Sequence, residues 1–510
     1  HRETNNVLLG IAFLILFIAG INFTNLTTSL IPLRLKTINT HRVLGCSIYK
    51  LQAISLIESI VICLISYILA LFIVNDLSYT PIANWVDADI RLSQYKGLIL
   101  LTALIAILTG CLAGLYPAIR STSYAPALVL KGSFGLSPKG KKVRVALIGF
   151  QYTVSIALII VTLFMGLQNH FMTSSEQLGF NKDQVAIVNL TPEIYAKHKP
   201  QYIQKLKDYP GIEDVAFSVY ELSKEYVMID LEYARHEDKD VFFKVFYASE
   251  NFLSVMDIQV EEGRDFTRED LNKAQSDYII NPAAERDFHL HPGDRFNDRT
   301  VLGVSKDFRF NSCRIASSPF VFALNNDIPN PKLVSYIRFN SKTNLQEAVA
   351  HVRETLKEID PTFPFEISFY NTILNNLYQK EQTLGKLISL FGIMAILISI
   401  VGVFGLVLFE TQYRRKEIGI RKINGATTGQ ILLMFNKTYI RIVSVCFIIS
   451  IPIAWMGTQQ WLENFAYKTP LHLWVFIVAF LIILSVTIGT VTFRNWQAAN
   501  ENPVNSVKSE

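Results

Sequence analysis

The densest group of chemistry-bearing side chains lies between Arg414 and Lys437, where Arg414, Arg415, Lys416, Arg421, Lys422 and Lys437 surround one carboxylate, Glu417, and one glycine, Gly425. Such a set makes and breaks no bonds. Cations with a carboxylate among them form a mixed-charge surface that can meet complementary charges on a partner. The plain alternative is a topology anchor followed by an interfacial helix, for which Gln430-Ile431-Leu432-Leu433-Met434-Phe435 is suited. That alternative accounts for the cations but not for Glu417, nor for a glycine that lets the chain turn sharply between two helical pieces. The pattern also recurs 380 residues earlier, with Arg34, Lys36, Arg42 and Gly45 opposite Arg414, Lys416, Lys422 and Gly425.

Other reactive types are sparse. Glu58 is the one acidic residue inside an apolar run, close to its edge, and a pairing with Lys50 or an interfacial position is expected. His289 and His291 form an H-x-H beside Pro292-Gly293 without a third ligand at a recognisable spacing, so solvated surface residues are expected and no metal site. Of the five cysteines, Cys46, Cys63, Cys111 and Cys446 lie in or beside apolar runs. Cys313 stands alone in the soluble region, where it can form no internal disulfide and is expected to be partly accessible to thiol reagents. No GxxxxGK[ST], HExxH or GxSxG motif is present. The reading is therefore not an enzyme, with no catalytic, cofactor-binding or metal-ligating residues.

The elements that must position these groups are mostly membrane spans. Half of the residues are hydrophobic and only 18% are charged, against roughly a quarter in soluble chains. Apolar runs at 7–32, 51–74, 98–119, 145–168, 387–409, 442–461 and 470–493 are each long enough to cross about 30 Å of hydrocarbon. Residues 171–381 hold 33 acidic and 24 basic side chains, so the net +5 of the chain leaves +14 outside that region. The excess falls in alternate connections: Arg34–Lys50, Arg120–Arg144, Arg414–Lys437 and the tail with Arg494 and Lys508. Connections 75–97 and 462–469 hold few cations. The positive-inside rule puts the basic segments in the cytoplasm, and seven crossings place the N-terminus and 169–386 outside. No nucleic-acid partner is expected; membrane lipid is.

Residues 169–386 have globular composition. Runs rich in Val, Ile, Phe and Tyr at 185–190, 215–220, 226–234, 241–249, 300–305, 319–324, 334–340 and 366–370 predict strands. Helices are predicted at Tyr195–Tyr209 and Asn344–Asp360, the second with Leu345, Val349, Val352, Leu356 and Ile359 on one face. Each lies between two strand runs, which predicts an α+β domain with two β-α-β units and a β-rich insertion. The fold class is a membrane α-helical protein with an α+β extracytoplasmic domain. Its organisation is 1–144, a three-helix block; 145–168, a helix leading outward; 169–386, the outer domain; and 387–510, a second three-helix block with the tail.

The two blocks are repeats. His41-Arg42-Val43-Leu44-Gly45-Cys46-Ser47 falls opposite Arg421-Lys422-Ile423-Asn424-Gly425-Ala426-Thr427, and Pro126-Ala127 with Lys131 falls opposite Pro503-Val504 with Lys508 at an offset of 377. Internal duplication is common in transporters. A first-half counterpart of the fourth span and its domain is expected before His1, so the chain reads as lacking its natural start.

The run Arg414-Arg415-Lys416-Glu417-Ile418-Gly419-Ile420-Arg421-Lys422-Ile423-Asn424-Gly425-Ala426 resembles the R-x-K-E-I-G-I-R-K-x-x-G-A signature of FtsX/MacB-type ABC transporter permeases. Gly179-Phe180-Asn181, Gly263-Arg264-Asp265-Phe266, Gly303-Val304, Lys306-Asp307-Phe308, Tyr378 with Glu381, and Asn502-Pro503-Val504 are also similar to that family. The first copy departs from the signature, with Thr37 and Asn39 opposite Glu417 and Gly419. The resemblance implies a permease of the cell (inner) membrane in which a separate cytoplasmic ABC ATPase subunit binds ATP, and this chain carries no cofactor. It implies ATPase docking at Arg414, Arg415, Lys416, Glu417, Arg421, Lys422, Gly425, Arg34, Lys36, Arg42 and Gly45, and a domain–membrane junction at Tyr378 and Glu381. Glu381 itself can pair with Lys380 or Lys386. A homodimer and an envelope adaptor or outer-membrane channel are further partners, with export of a substrate as the outcome. The alternative is a non-transporting scaffold that activates a cell-envelope enzyme under ATPase control. A receptor without an ATPase is disfavoured by the repeated loops.

Overall fold

The computed structural model describes residues 2–80, 83, 92–123, 138–174, 178–223, 230–273, 275–324 and 333–500. The expected repeat partners Pro126, Ala127, Lys131, Pro503, Val504 and Lys508, and part of the 226–234 strand, lie outside the described residues. So do the side chains of Lys36, Arg415 and Lys416. Among the described residues, seven helices are long and apolar enough to cross a membrane. The first four are α1 (Arg2–Val43), α2 (Ile48–Leu77), α3 (Lys96–Thr122) and α4 (Pro138–Thr173). Along α2 the side chains of Ile54, Ile57, Ile65, Leu69 and Phe72 are exposed, as suits a helix whose solvent is hydrocarbon. On α3, Gly110 and Gly114 back onto Ile60, Cys63 and Ser59 of α2, the close approach that small residues permit between membrane helices.

Residues 167–382 together with 461–469 form one compact unit. Strand β1 (Val185–Leu190) leads through a short π turn into α5 (Lys199–Lys207) and then β2 (Ile212–Ser218). An insertion follows: β3 (Asp230–His236), β4 (Lys239–Ala248), α6 (Phe252–Met256), β5 (Val260–Gly263), β6 (Tyr278–Ile280), α7 (Pro282–Phe288), β7 (Arg295–Phe296), β8 (Arg299–Ser305) and β9 (Phe320–Leu324). The chain closes with β10 (Leu333–Phe339), α8 (Leu345–Ile359), β11 (Ile367–Phe369) and α9 (Tyr370–Leu377).

The sheet order is β11-β1-β10-β2-β4-β9-β6-β8-β5, with β3 paired to β4 and β7 to β8. Both β1–β10 and β10–β2 are antiparallel, as is β1–β11. Thus β1 runs parallel to β2 across β10, and β10 runs parallel to β11 across β1. These are two split β-α-β units, the arrangement expected from sequence. Alternation sends Ala186, Val188, Val215, Phe217, Ile337 and Phe339 to one face, where Tyr202, Leu206, Val352 and Leu356 of α5 and α8 cover them. Opposite, Val185, Ile187, Ala216, Val334 and Tyr336 join a core that runs into the insertion through Phe246, Phe252, Phe320 and Phe322. Strands β3 and β4 meet through Glu237-Asp238, both left-handed (φ 50° and 60°), and β7 and β8 through Asn297-Asp298 (φ 50° and 61°), the two-residue geometry that matches strand twist. Strands β5, β6 and β7 were not expected; at two to four residues they are too short to show a period of two.

The second membrane block holds α10 (Gln379–Tyr413), α11 (Arg415–Ile423), α12 (Thr428–Leu462) and α13 (Leu473–Ala499). Its boundaries repeat those of the first. The ends of α1 and α11 and the starts of α2 and α12 differ by 380, and α3 and α13 are both 27 residues at an offset of 377. Helix α4 is the most buried of the seven spans. Its Tyr152 hydroxyl meets Thr487 Oγ1 at 3.0 Å on α13, and Ser155 meets Ser399 Oγ at 2.8 Å on α10.

The protein is a multi-pass membrane protein with an extracytoplasmic domain. Cys313, expected to be accessible, is instead 1% exposed, with its thiol 3.2 Å from the Tyr378 hydroxyl. Impermeant thiol labelling of intact cells is therefore expected to need an introduced cysteine. Lys239→Cys at the exposed β3–β4 hairpin labels, and Asn424→Cys between the basic helices does not; the reverse result would invert the topology.

Candidate functional site

Both glycines named from sequence close a helix in the left-handed region, Gly45 at φ 94° and Gly425 at φ 88°. The hydrogen bonds around them are the same. Gly45 N–H donates to Arg42 O at 3.0 Å and Cys46 N–H to His41 O at 3.0 Å; Gly425 N–H donates to Lys422 O at 3.0 Å and Ala426 N–H to Arg421 O at 2.9 Å. This paired 5→2 and 6→1 pattern is the Schellman cap, and it places glycine at the left-handed position. The next helix then starts on a hydroxyl. Ser47 Oγ accepts from Lys50 N–H and Thr427 Oγ1 from Gln430 N–H, both at 3.3 Å, while Gln430 Oε1 accepts from Thr427 N–H at 3.1 Å. Each elbow is thus a helix stop and a helix start locked three residues apart.

Apolar side chains stand exposed at both tips, Val43, Leu44, Ile48 and Tyr49 on the first and Ile420 and Ile423 on the second. Val43 and Ile423 occupy the same repeat position. Flanking them are the cations. In the second elbow, Arg414 pairs with Glu410 at 3.1 Å and lies 3.9 Å from Glu417, which accepts from Arg421 at 2.9 Å. Tyr439 on α12 donates to Glu410 Oε2 at 3.3 Å, and the Arg414 guanidinium lies 5.8 Å from the Phe435 ring centroid. Glu417 is therefore held in an internal charge ladder along α11, with its carboxylate still partly open to solvent. Glu410 went unnoticed in the sequence, although its i,i+4 spacing to Arg414 is the ladder's first rung.

The first elbow is built differently. Helix α1 runs unbroken to Val43, whereas Arg414 interrupts the second (φ −94°, ψ 11°). Arg42 donates to Thr122 O at 3.1 Å and Gln52 to Thr122 Oγ1 at 2.9 Å. Arg34 pairs at 2.8 Å with Glu58, which corrects the Lys50 pairing. Lys50 stands on the exposed first turn of α2, two helical turns from Glu58 on the same helix. Arg34 reaches Glu58 from α1. The equivalent arginines Arg34 and Arg414 both meet a carboxylate, supplied by the following helix in one block and by the preceding turn in the other.

In the extracytoplasmic unit, Glu381 pairs with Arg314 at 2.8 Å, a partner not among the expected Lys380 and Lys386; the Lys380 side chain lies outside the described residues. The loop carrying Arg314 is folded against the start of α10, a proximity that a separation of 67 residues hides in the sequence. Tyr378 is fully buried; its hydroxyl accepts from Cys313 N–H at 3.2 Å and donates to Asn311 O at 3.4 Å. Burial pushes both the Tyr378 phenol and the Cys313 thiol upward, so neither is ionised near neutral pH. His289 ends α7 in the left-handed region (φ 53°). His291 lies 3.5 Å from Glu285 and, with Glu262, forms a group whose ligand atoms fall within 4.8 Å; His291 itself is exposed.

The family-like motifs of this unit mark close backbone approaches. A Cβ on Gly179 (φ 76°) would stand 2.1 Å from Asp307 O, and one on Gly263 (φ 79°) 2.2 Å from Leu302 O. Arg264 in the same motif grips the buried Asp270 through both nitrogens at 2.7 and 2.9 Å.

The FtsX-like permease C-terminal family profile matches residues 9–126 and 389–503, the two blocks that carry the elbows. The macrolide export ATP-binding/permease protein MacB of Aggregatibacter actinomycetemcomitans is 25% identical over 212 residues, 39% of this chain and 32% of that protein. The MacB of Neisseria gonorrhoeae is 25% identical over 227 residues, 42% and 34%. The match spans about a third of the length of these relatives. Among solved structures, the periplasmic region of MacB from Actinobacillus actinomycetemcomitans is similar at 15% identity and a TM-score of 0.29, covering 39% of this chain and 94% of that one. The extracellular domain of the noncanonic ABC-type transporter YknZ from Gram-positive bacteria is similar at 16% identity and a TM-score of 0.27, covering 36% and 98%. With the profile falling on both elbow-bearing blocks, the chain is an FtsX/MacB-type permease.

Proposed function

We propose that the chain is the permease subunit of an ABC-type exporter, in which a separate cytoplasmic ATPase docks on the two elbows and its hydrolysis cycle moves the extracytoplasmic domain. The observation that supports this most is the hydrogen-bond identity of the two elbows. Two rigid caps, each presenting apolar residues rimmed by cations, suit two equivalent grooves of an ATPase pair. An apolar centre with a charged rim is the ordinary anatomy of a protein interface. ATP belongs to that partner, in keeping with the missing phosphate loop. A homodimer of the chain and an envelope adaptor or outer-membrane channel complete the assembly on this reading, which follows the export role named for the MacB relatives.

The second elbow carries more of the coupling, because it alone sets a carboxylate within the elbow helix itself, Glu417 between Arg414 and Arg421. Its test is ATP hydrolysis by the complex drawn from native membranes through a tag on this chain. Glu417→Lys places a cation beside Arg414 and Arg421, and hydrolysis linked to the permease is expected to fall about tenfold, equivalent to roughly 1.4 kcal/mol. Thr37→Lys is expected to stay within about twofold, as exposed single charges do. Ile423→Glu and Val43→Glu both reduce ATPase recovery by burying a charge at the docked tip. Equal effects of Glu417→Lys and Thr37→Lys would remove the asymmetry, and full recovery with both tip variants would remove the docking reading.

A further inference from the structure

Helix α12 leaves the second elbow with two exposed cations on one face, Lys437 and Arg441, one turn and about 6 Å apart along the axis. The helix itself contains no Asp or Glu, and among the described residues no carboxylate pairs with either side chain. That separates them from the elbow cations Arg414 and Arg421, which Glu410 and Glu417 hold. Exposed apolar side chains continue the same face, Leu433 before the pair and Val445 and Ile448 after it. Arg441 is the last charged residue before the apolar run 442–461. The other end of α12 leads into residues 461–469 of the extracytoplasmic unit. The pair therefore lies on the cytoplasmic side, at the level where headgroups give way to acyl chains.

The first block shows that the fold does not require this pair. At the repeat offset of 380, Ile57 and Val61 of α2 occupy the positions of Lys437 and Arg441, and both are exposed. The charge at that level of α2 is Glu58, which Arg34 neutralises at 2.8 Å; Thr438 stands in its place on α12. One block is thus balanced there and the other doubly cationic. A helix that needs only to sit in the membrane does so with Ile57 and Val61. Two cations that face lipid without a protein carboxylate attract negative charge from the lipid itself.

We propose that Lys437 and Arg441 form a headgroup site for an anionic phospholipid of the cytoplasmic leaflet, with Val445 and Ile448 against the first part of its acyl chains. Lys437 supplies a flexible point charge, and Arg441 a planar fork that matches phosphate oxygens. Selectivity follows from net charge. A zwitterionic headgroup carries its own cation beside the phosphate, so it gains less from the pair than phosphatidylglycerol does. The site lies on one face of one helix, and nothing in it rests on docking at the elbows.

Native mass spectrometry of the full chain released from detergent reads the lipid directly. With equimolar phosphatidylglycerol and phosphatidylcholine present, the wild type is expected to retain phosphatidylglycerol. Lys437→Gln/Arg441→Gln is expected to bind it about tenfold more weakly. Lys50→Gln/Lys96→Gln removes the same charge from the helix ends of the first block and keeps wild-type binding, as does the charge-conserving Lys437→Arg/Arg441→Lys. Thermal unfolding with phosphatidylcholine has the same midpoint in the wild type and the Lys437→Gln/Arg441→Gln variant, which shows that variant to be folded. Phosphatidylglycerol then raises the midpoint more in the wild type. Undiminished binding in Lys437→Gln/Arg441→Gln would place the lipid elsewhere, and an equal loss in Lys50→Gln/Lys96→Gln would reduce the effect to net charge. Displacement of the lipid by inorganic phosphate would make this a free-phosphate site. Each of these three results overturns the proposal.

Discussion

Gly179→Ala and Gly263→Ala are each expected to destabilise the extracytoplasmic domain by about 3 kcal/mol, whereas Gly293→Ala costs about 1 kcal/mol. All three glycines have positive φ, at 76°, 79° and 99°, so a side chain at any of them meets the same conformational penalty. Only the first two also face fixed backbone. The added methyl would lie 2.1 Å from Asp307 O at Gly179 and 2.2 Å from Leu302 O at Gly263, while Gly293 opens onto free space. A backbone carbonyl, Leu302 O in β8 or Asp307 O just past its end, cannot swing aside as a long side chain can. Gly263 lies opposite Gly303 in the β5–β8 pairing, and a Cβ on Gly303 would in turn meet Glu262 O at 2.7 Å. Pulse proteolysis of the full chain in detergent, with urea as denaturant, measures the domain's unfolding free energy. Equal losses at all three positions would show that conformation, not contact, decides these sites.

Asp270→Asn is expected to cost about 2–3 kcal/mol in the same assay, less than breaking a fully buried pair because its cationic partners keep part of their solvent. The Asp270 carboxylate is almost wholly buried and accepts from Arg264 at 2.7 and 2.9 Å, from Lys273 at 2.9 Å, and from Thr267 N–H and Oγ1 at 2.9 and 2.8 Å. Arg264, then Lys273 and Thr267, hold its acidity well below the usual carboxylate range. A carboxyl depressed in the folded state stabilises fully above its unfolded pKa of about 3.9 and loses that contribution as pH falls through the folded value. The wild-type domain should therefore lose stability as pH drops below about 4, and Asp270→Asn should flatten that part of the profile. A variant with the wild-type slope would exclude Asp270 as its source.

Much of this protein is determined locally, and that part is legible in the sequence alone. A membrane span needs only about 20 apolar residues in succession, and orientation follows from which connections hold cations. The glycine at each elbow could be read as a turn because a left-handed helix cap depends on the residue that occupies it. The two β-α-β units followed from strand runs flanking helices with one apolar face.

What tertiary structure decided is which distant groups meet. Glu58 faces Arg34 and Glu381 faces Arg314, while near neighbours in sequence had been expected for both. An ion pair requires only that two side chains reach the same point, and packing, not spacing, chooses that point. Cys313 likewise passed for an accessible thiol until the Tyr378 phenol and the Tyr467 main chain closed over it. In the sequence the connection 462–469 shows only its scarcity of cations, because the partners of Tyr467 and Thr469, which include Gln168, Arg309 and Ser317, lie 150 to 301 residues away. Helices and caps are settled by contacts four or five residues apart, which a sequence displays directly. The charge pairs, the backbone crossings at Gly179 and Gly263 and the anchoring of Tyr467 are settled by chain segments brought together only when the sheet and the bundle form.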